Sequence, residues 1–317
     1  MSHTEKSKKP NHVESNIDQL RMSVATAIAA NSKNLTPNHY SRFRHKTAEW
    51  IDESFFKILK GCGVTGLIEC GAHEASASVN FMRTGGRRAV AIEANPFTYE
   101  SKTKLTEQYG VLSFNCGVGG EVGEIDFYIP LHDQNAGNAS FLKKTNVKYK
   151  SKKVSVDTLD NIFREHFETN EALALWVDVE GLALEVLKGG GSLLNSENCL
   201  VIKVEVESKS FWEGQSLARD VDNYLTSFGF KAILRDLEYR NQYNVIYVKD
   251  KYIDCIDEVL IDCWREISWL RLSWLDKNDG VREFASYIKH RLTRSDKSIV
   301  SFFTHKVAAF LGSKSSN

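Results

Sequence analysis

The chain has 317 residues, 42% hydrophobic and 26% charged, which is enough apolar material for a full core and an appended module. Its 41 Lys and Arg balance 41 Asp and Glu, so no overall field draws it to nucleic acid or to an anionic membrane, and any such attraction has to be local. The six cysteines (Cys62, Cys70, Cys116, Cys199, Cys255, Cys263) include no C-x-x-C pair and no histidines at zinc-ligand spacing. They are expected to be reduced thiols of a cytosolic protein rather than a disulfide framework.

In chain order, residues 1–15 are polar and lysine-rich, a tail without the apolar centre of a signal peptide. Helical spacing of apolar residues marks two leading helices. One runs from Ile17 to Ala30 (Leu20, Val24, Ala27, Ile28) and one from Trp50 to Leu59 (Ile51, Phe55, Ile58). From Gly66 onward, short apolar runs alternate with helical patterns, the signature of a parallel sheet flanked by helices. The predicted strands are Gly66 to Cys70, Ala89 to Glu93, Val111 to Cys116, Leu173 to Asp178, Leu200 to Val206, Lys231 to Leu234 and Tyr243 to Val248. Between the third and fourth, Ile125 to Ile129 and Ala139 to Leu142 read as an inserted hairpin, placed to act as a lid or acceptor wall. After Lys249, two or three helices carry Trp264, Trp269, Trp274, Phe302, Phe303, Val307 and Phe310. The domain reading is a mobile tail at 1–15, helices at 16–60, a central α/β domain at 61–249 and a helical extension at 250–317. No run is long enough to span a bilayer, so the expected location is the cytoplasm.

The literal G-x-G-x-x-G at Gly61 to Gly66 precedes its strand instead of following one. It therefore reads as a turn that ends a helix, not as a dinucleotide fingerprint, and leaves a dehydrogenase as a distant alternative. The better-placed loop follows the first strand, where Glu69-Cys70-Gly71-Ala72-His73-Glu74-Ala75 runs into a helix. Gly71 permits a tight turn there, and Ala72 and Ala75 permit close approach of an adenosyl-type ligand. The next strand ends in Glu93-Ala94-Asn95-Pro96, and a carboxylate at that strand end is placed to hold two ribose hydroxyls. The loop around Cys116-Gly117-Val118 is again small and follows a strand, as a flank for an adenine ring or as a simple glycine turn. Later, Asp178 and Glu180 stand two apart at one strand end and Glu205 and Glu207 two apart at the next, so each pair can share a face. Such carboxylates suit base catalysis, a divalent cation site, or plain helix capping.

Together these segments resemble the FkbM family of methyltransferases. The matching pieces are Glu69-Cys70-Gly71-Ala72, Ala91-Ile92-Glu93-Ala94-Asn95-Pro96, Asn115-Cys116-Gly117-Val118-Gly119 and Val154-Ser155-Val156-Asp157-Thr158-Leu159-Asp160. To these are added Trp176-Val177-Asp178-Val179-Glu180-Gly181 with Glu185-Val186-Leu187-Lys188-Gly189, and Val204-Glu205-Val206-Glu207, so the likeness covers residues 64–248. The family usually has Asp at position 69, Asn at 73 and Gly at 75, where this chain has Glu69, His73 and Ala75. The resemblance implies a Rossmann-like class I methyltransferase fold, an α/β domain with a seven-stranded, mostly parallel sheet and helices on both faces. It implies S-adenosyl-L-methionine as methyl donor and a sugar or other hydroxyl acceptor. Residues assigned to the donor are Glu69, Gly71, Ala72, His73, Glu93, Ala94, Asn95, Cys116, Gly117 and Val118. Asp178, Glu180 and Glu205 are assigned to catalysis, with a divalent cation left open. The acceptor expected is a glycan or small hydroxyl compound, as in polysaccharide or glycolipid synthesis, and no nucleic acid partner is expected. The competing reading is a non-catalytic protein of the same fold that binds the donor as a partner subunit. From Val281 to Asn317, seven Lys or Arg face only Glu283 and Asp296. That excess suits a helical cap or a homo-oligomer surface, or else a face for an anionic glycan, a membrane or a partner protein.

Overall fold

A computed structural model describes residues 37–272, apart from 132–136, 138, 145, 146 and 240. The chain divides into two compact units. One, Ser41–Ile267, holds both sheets and the site described below. The other joins Met1–Tyr40 to Ser268–Asn317 and lies almost wholly outside the described residues, together with the helix expected at Ile17 to Ala30 and the basic C-terminal stretch.

A long helix, α1 (Pro37–Gly61), opens the described chain and contains the helix expected from Trp50 to Leu59. Its buried stripe of Trp50, Ile51, Phe55, Ile58 and Leu59 follows the 3.6-residue period, and Phe55 meets the Trp176 ring edge-on at 5.4 Å. The helix ends at the glycine turn, where Cys62 N donates to Ile58 O and Val64 N to Leu59 O before the first strand begins. The literal G-x-G-x-x-G is therefore a helix stop.

Seven strands make the main sheet: β1 (Gly66–Cys70), β2 (Arg88–Ile92), β3 (Leu112–Phe114), β7 (Leu173–Val177), β8 (Cys199–Glu207), β9 (Phe230–Arg235) and β10 (Gln242–Lys249). Their spatial order is β3-β2-β1-β7-β8-β10-β9. The first five run parallel, and β10 is antiparallel to both of its neighbours. All seven predicted strands are present, with ends shifted by a residue or two. The third is shorter than expected, because the chain leaves the sheet after Phe114 and Cys116 lies in the loop. Helices α2 (Ser76–Arg83) and α3 (Pro96–Ser101) follow β1 and β2. They are joined by α4 (Leu159–His166), α5 (Ala183–Lys188), α6 (Gly191–Asn195), α7 (Ala218–Ser227) and α8 (Asp257–Leu272).

The insertion between β3 and β7 differs from the expectation. A second sheet pairs β5 (Gly123–Pro130) antiparallel with β6 (Tyr149–Asp157), and β6 runs parallel to the short β4 (Gly117–Val118). Ala139 to Leu142, expected as the partner of Ile125 to Ile129, contributes only an isolated bridge between Tyr128 and Ser140. The reason is the alternation of β6: Val154 packs with Phe127 and Ile129 in a small apolar cluster, an anchor that Ala139-Ser140-Phe141 cannot match in length.

Because the chain moves from β1 outward to β3 and then crosses to β7 on the other side of β1, strand order reverses between β1 and β7. The crevice outside the carboxyl ends there is the place where open α/β sheets bind ligands.

Candidate functional site

The turn after β1 is built against β7. Gly71 has φ +76, and a Cβ placed on it would lie 1.8 Å from the carbonyl oxygen of Asp178, so only glycine fits. Gly71 N and Ala72 N both donate to Ile92 O, and Asp178 N donates to Cys70 O, so the ends of β1, β2 and β7 are stitched together. Further along the turn, His73 and Ala75 have φ of 47° and 51°. These left-handed positions are where the family usually has Asn and Gly, residues that adopt the conformation readily, whereas each Cβ-bearing residue there costs about 1–2 kcal/mol.

Glu69 has a different task from the one expected. Its carboxylate turns away from the crevice and accepts from Ser78 N at 2.7 Å in the first turn of α2. That satisfies a helix-start N–H that Ala75, at the cap position, cannot. Burial raises the Glu69 carboxyl to about 7.

Glu93 lies just beyond β2, 7% exposed, and accepts from His73 N at 2.8 Å on one oxygen and from Asn95 N at 2.7 Å on the other. Asn95 in turn caps α3 by accepting from Phe97 N, and Asn115 Nδ2 donates to Glu93 O at 2.8 Å. Asn115 was not among the expected site residues, though it lies within the small-residue loop. Burial pushes the Glu93 carboxyl above its ordinary range, and the backbone donors oppose that shift.

A cavity of about 300 Å³ opens in the crevice. Of the thirteen residues expected to form the site, all but Glu69 and Ala72 line it. Those two border a neighbouring cavity beside α1, with Asp52, Phe56, Asn80 and Trp176. The inserted sheet supplies the wall that the sequence placed only loosely, through Phe127, Ala139, Ser140 and Phe141. Ser140 Oγ donates to Glu180 O at 2.8 Å and fastens that wall to the end of β7.

Around the cavity the carboxyls gather. Glu205 hydrogen-bonds Asp178, and Gln242 Nε2 donates to the other side of Glu205 at 2.8 Å. Burial, then Asp178 and Glu180, raise Glu205 to about 9, while burial and then Asp178 raise Glu180 to about 8. Glu207 rises to about 7, mainly through burial. Asp178 is also raised by burial, and Lys203 opposes the shift most strongly. Lys203, which sequence reasoning missed, is 3% exposed, pairs with Asp52 at 2.9 Å and sits 3.3 Å from the centroid of Trp176. The signal was present: Lys203 precedes Glu205 by two residues on an otherwise apolar strand, so it shares the face of the acidic pair. Among the described residues, no three His, Cys, Asp or Glu side chains are arranged to hold a metal ion.

The model of the methyltransferase FkbM domain matches residues 69–232, about half of the chain and every residue that lines the main cavity. The chain belongs to the FkbM methyltransferase family. Its sheet, with the last pair of strands reversed in order and β10 antiparallel, is the Rossmann-like sheet of class I methyltransferases. No curated protein sequence matches this FkbM-family chain. Solved structures similar to it include M. capricolum TrmK in complex with S-adenosyl-homocysteine, at 10% identity over 80% of this chain and 93% of that one, with a TM-score of 0.35. WbdD with a kinase inhibitor shares 11% identity over 64% and 40%, with a TM-score of 0.40. The METTL16 methyltransferase domain shares 10% over 61% and 65%, with a TM-score of 0.37. At these identities and scores the likenesses say nothing about substrate. Among the described residues no helix is long and apolar enough to cross a membrane.

Proposed function

We propose that this methyltransferase moves a methyl group from S-adenosylmethionine to a hydroxyl of a carbohydrate, with Asp178 as the base. The observation that carries the reading is the Asp178–Glu205 carboxyl pair lining the same cavity as Glu93.

The residues fit the donor. A volume of about 300 Å³ is at the small end for a cofactor-sized ligand. Glu93 keeps a lone pair on each oxygen beyond its backbone partners, enough for two ribose hydroxyls. Ala94, Cys116, Gly117 and Val118 are small and suit the adenine, while Gly71 and His73 border the methionine end. The carboxyl-rich wall suits a ligand that bears a cationic centre. When bound, the donor supplies an electrophilic methyl on a sulfonium.

An alcohol is a poor nucleophile until its proton is removed. Asp178 takes the proton of the acceptor hydroxyl as that oxygen gains the methyl group and the sulfur keeps the bonding electron pair as a thioether. Glu205, raised to about 9, is protonated at neutral pH and donates to Asp178, which fixes the carboxylate and leaves its other oxygen for the acceptor. Lys203 is the strongest influence opposing the upward shift that burial gives Asp178.

The test is Asp178→Asn, followed by titration calorimetry with S-adenosylmethionine and by transfer of labelled methyl to cell-surface glycans. The expected result is donor affinity close to the parent and turnover lost by a factor of about 100 or more. Loss of donor binding instead would move Asp178 out of the base role, and an unmodified chain that binds no donor would defeat the reading.

A further inference from the structure

Residues 143–153 hold six lysines (Lys143, Lys144, Lys148, Lys150, Lys152, Lys153) and no acidic residue, in a chain whose net charge is zero. The stretch belongs to the insertion that walls the cavity. On β6, Lys150 and Lys152 alternate onto the face of buried Val154, directly opposite Ile129 and the cavity-lining Phe127. Their ammonium groups sit 4.1 and 4.8 Å from the centroid of Phe97. On the other flank, Lys143 lies over Tyr128 at 4.4 Å and Lys144 over Trp212 at 3.9 Å.

How these cations are held is informative. Lys153 has a carboxylate partner, Asp126 at 3.5 Å, but among the described residues none of the four lysines on aromatic rings has one within ion-pair distance. A ring face orients an ammonium and leaves its N–H donors able to meet an anion. Lys143 is tied down at its backbone, because Glu213 N donates to Lys143 O at 3.1 Å. The cavity lining thus carries Glu93, Asp178, Glu180 and Glu205, while the lysines stand on the adjoining insertion, Lys150 and Lys152 on the face of cavity-lining Phe127 and Lys144 near enough to Glu180 and Glu207 to oppose the upward shifts of both. A neutral sugar satisfies the interior carboxyls and leaves these lysines without an ion pair, whereas a sugar that carries an anionic group matches both.

We propose, resting on the function inferred above, that the acceptor is a sugar bearing a diphosphate. Lys143, Lys144, Lys150 and Lys152 hold the diphosphate while the sugar hydroxyl reaches Asp178. The class of reaction that supplies such an acceptor is sugar activation through a phosphoanhydride, so methylation precedes transfer of the sugar to its final glycan.

The experiment is calorimetry of the full chain at low salt with uridine diphosphate glucose, with free glucose, with single-stranded RNA and with phosphatidylglycerol vesicles. Each titration is repeated on Lys143→Gln/Lys144→Gln and on Lys150→Gln/Lys152→Gln. The expected result is that the sugar diphosphate binds and glucose does not, and that each double variant weakens the former by about tenfold or more. Both variants should keep the parent's thermal midpoint and its affinity for S-adenosylmethionine. Sugar-diphosphate binding that is absent, or indifferent to both substitutions, overturns the proposal. So does RNA or vesicle binding that is tighter than that of the sugar diphosphate and lost in the same variants. Donor binding by the unmodified chain separates the two failures: without it the methyltransferase reading falls, and with it only the acceptor assignment does.

Discussion

Gly71→Ala isolates the contact on which the crevice is built. Two costs add. The first is the left-handed backbone at φ +76, about 1–2 kcal/mol for a residue with a Cβ. The second is the overlap with Asp178, where the new Cβ starts 1.8 Å from a carbonyl oxygen and needs about 3.3 Å. A shift of about 1.5 Å cannot be absorbed by a side chain, since the obstacle is backbone. It has to stretch or break the bonds from Gly71 N and Ala72 N to Ile92 O and from Asp178 N to Cys70 O, each worth about 1 kcal/mol net. The sum is about 4 kcal/mol, and for a unit of this size that lowers the melting temperature by about 12 °C. The matched control is Gly63→Ala, with φ +68 and nothing within 4 Å of the new Cβ, so only the first cost applies and the fall is about 4 °C. Scanning fluorimetry of the two variants, with and without S-adenosylmethionine, provides the comparison. Donor-induced stabilisation should survive in the control and vanish in Gly71→Ala. Equal melting temperatures for the two variants, or donor stabilisation intact in Gly71→Ala, would refute the argument that this turn must lie against Asp178.

Glu93→Gln should weaken donor binding by about 10- to 100-fold in calorimetry, since it turns an acceptor of two backbone N–H groups into one that must also aim an amide N–H at a donor. Glu205→Gln can still donate to Asp178 and accept from Gln242, so most of kcat should remain. Glu205→Leu leaves both partners unmet and should lose about tenfold or more, and equal rates for the two would remove Glu205 from the proton arrangement. For pH dependence the sign follows from the raised carboxyls: Glu69 and Glu207 near 7, Glu180 near 8 and Glu205 near 9 hold protons in the folded state that the unfolded chain releases near 4.5. The folded state binds more protons in that window, so the stability they contribute is full below about 4.5 and is lost as pH rises from there through 7–9. The melting temperature of the ligand-free chain should fall steadily from pH 5 to pH 9, and a flat or rising profile would contradict the clustering.

The fold was legible because periodicity and strand-end punctuation agree. Each predicted strand is a run of β-branched or apolar residues closed by a glycine, a carboxylate or both, and a parallel sheet buried on its two faces needs that pattern. The insertion was not, because the true partner of β5 is Tyr149–Asp157, whose alternation is masked by lysines at positions 150, 152 and 153. Two of those lysines nonetheless sit on the face of Val154, with their ammonium groups over the Phe97 ring. At the site, positions along the strands were readable but directions were not. Glu69 and Glu93 both stand near β-strand ends beside the same turn. Yet only Glu93 lines the cavity: it lies one residue beyond β2, whereas Glu69 lies inside β1 and meets the start of α2 instead. The departures at His73 and Ala75 became interpretable once their positive φ was known, because the family's Asn and Gly and this chain's residues occupy the same backbone shape at different cost.

The electrostatics of the crevice tie the donor to the base. Asp178, Glu180, Glu205, Glu207 and Glu93 lie close enough that burial and mutual repulsion raise all of them, and Lys203 opposes the effect only locally. On the proposed reading, a donor that brings a sulfonium and an ammonium supplies the missing positive charge, which favours the ionised form of the nearest carboxyl. That carboxyl is the one required to take a proton. Once the methyl has left, the thioether product lacks the sulfonium charge and Asp178 carries a proton, so both halves of the attraction weaken together. On that reading donor entry would ready the base, and turnover would loosen the product, through one cluster of carboxyls that otherwise only costs stability.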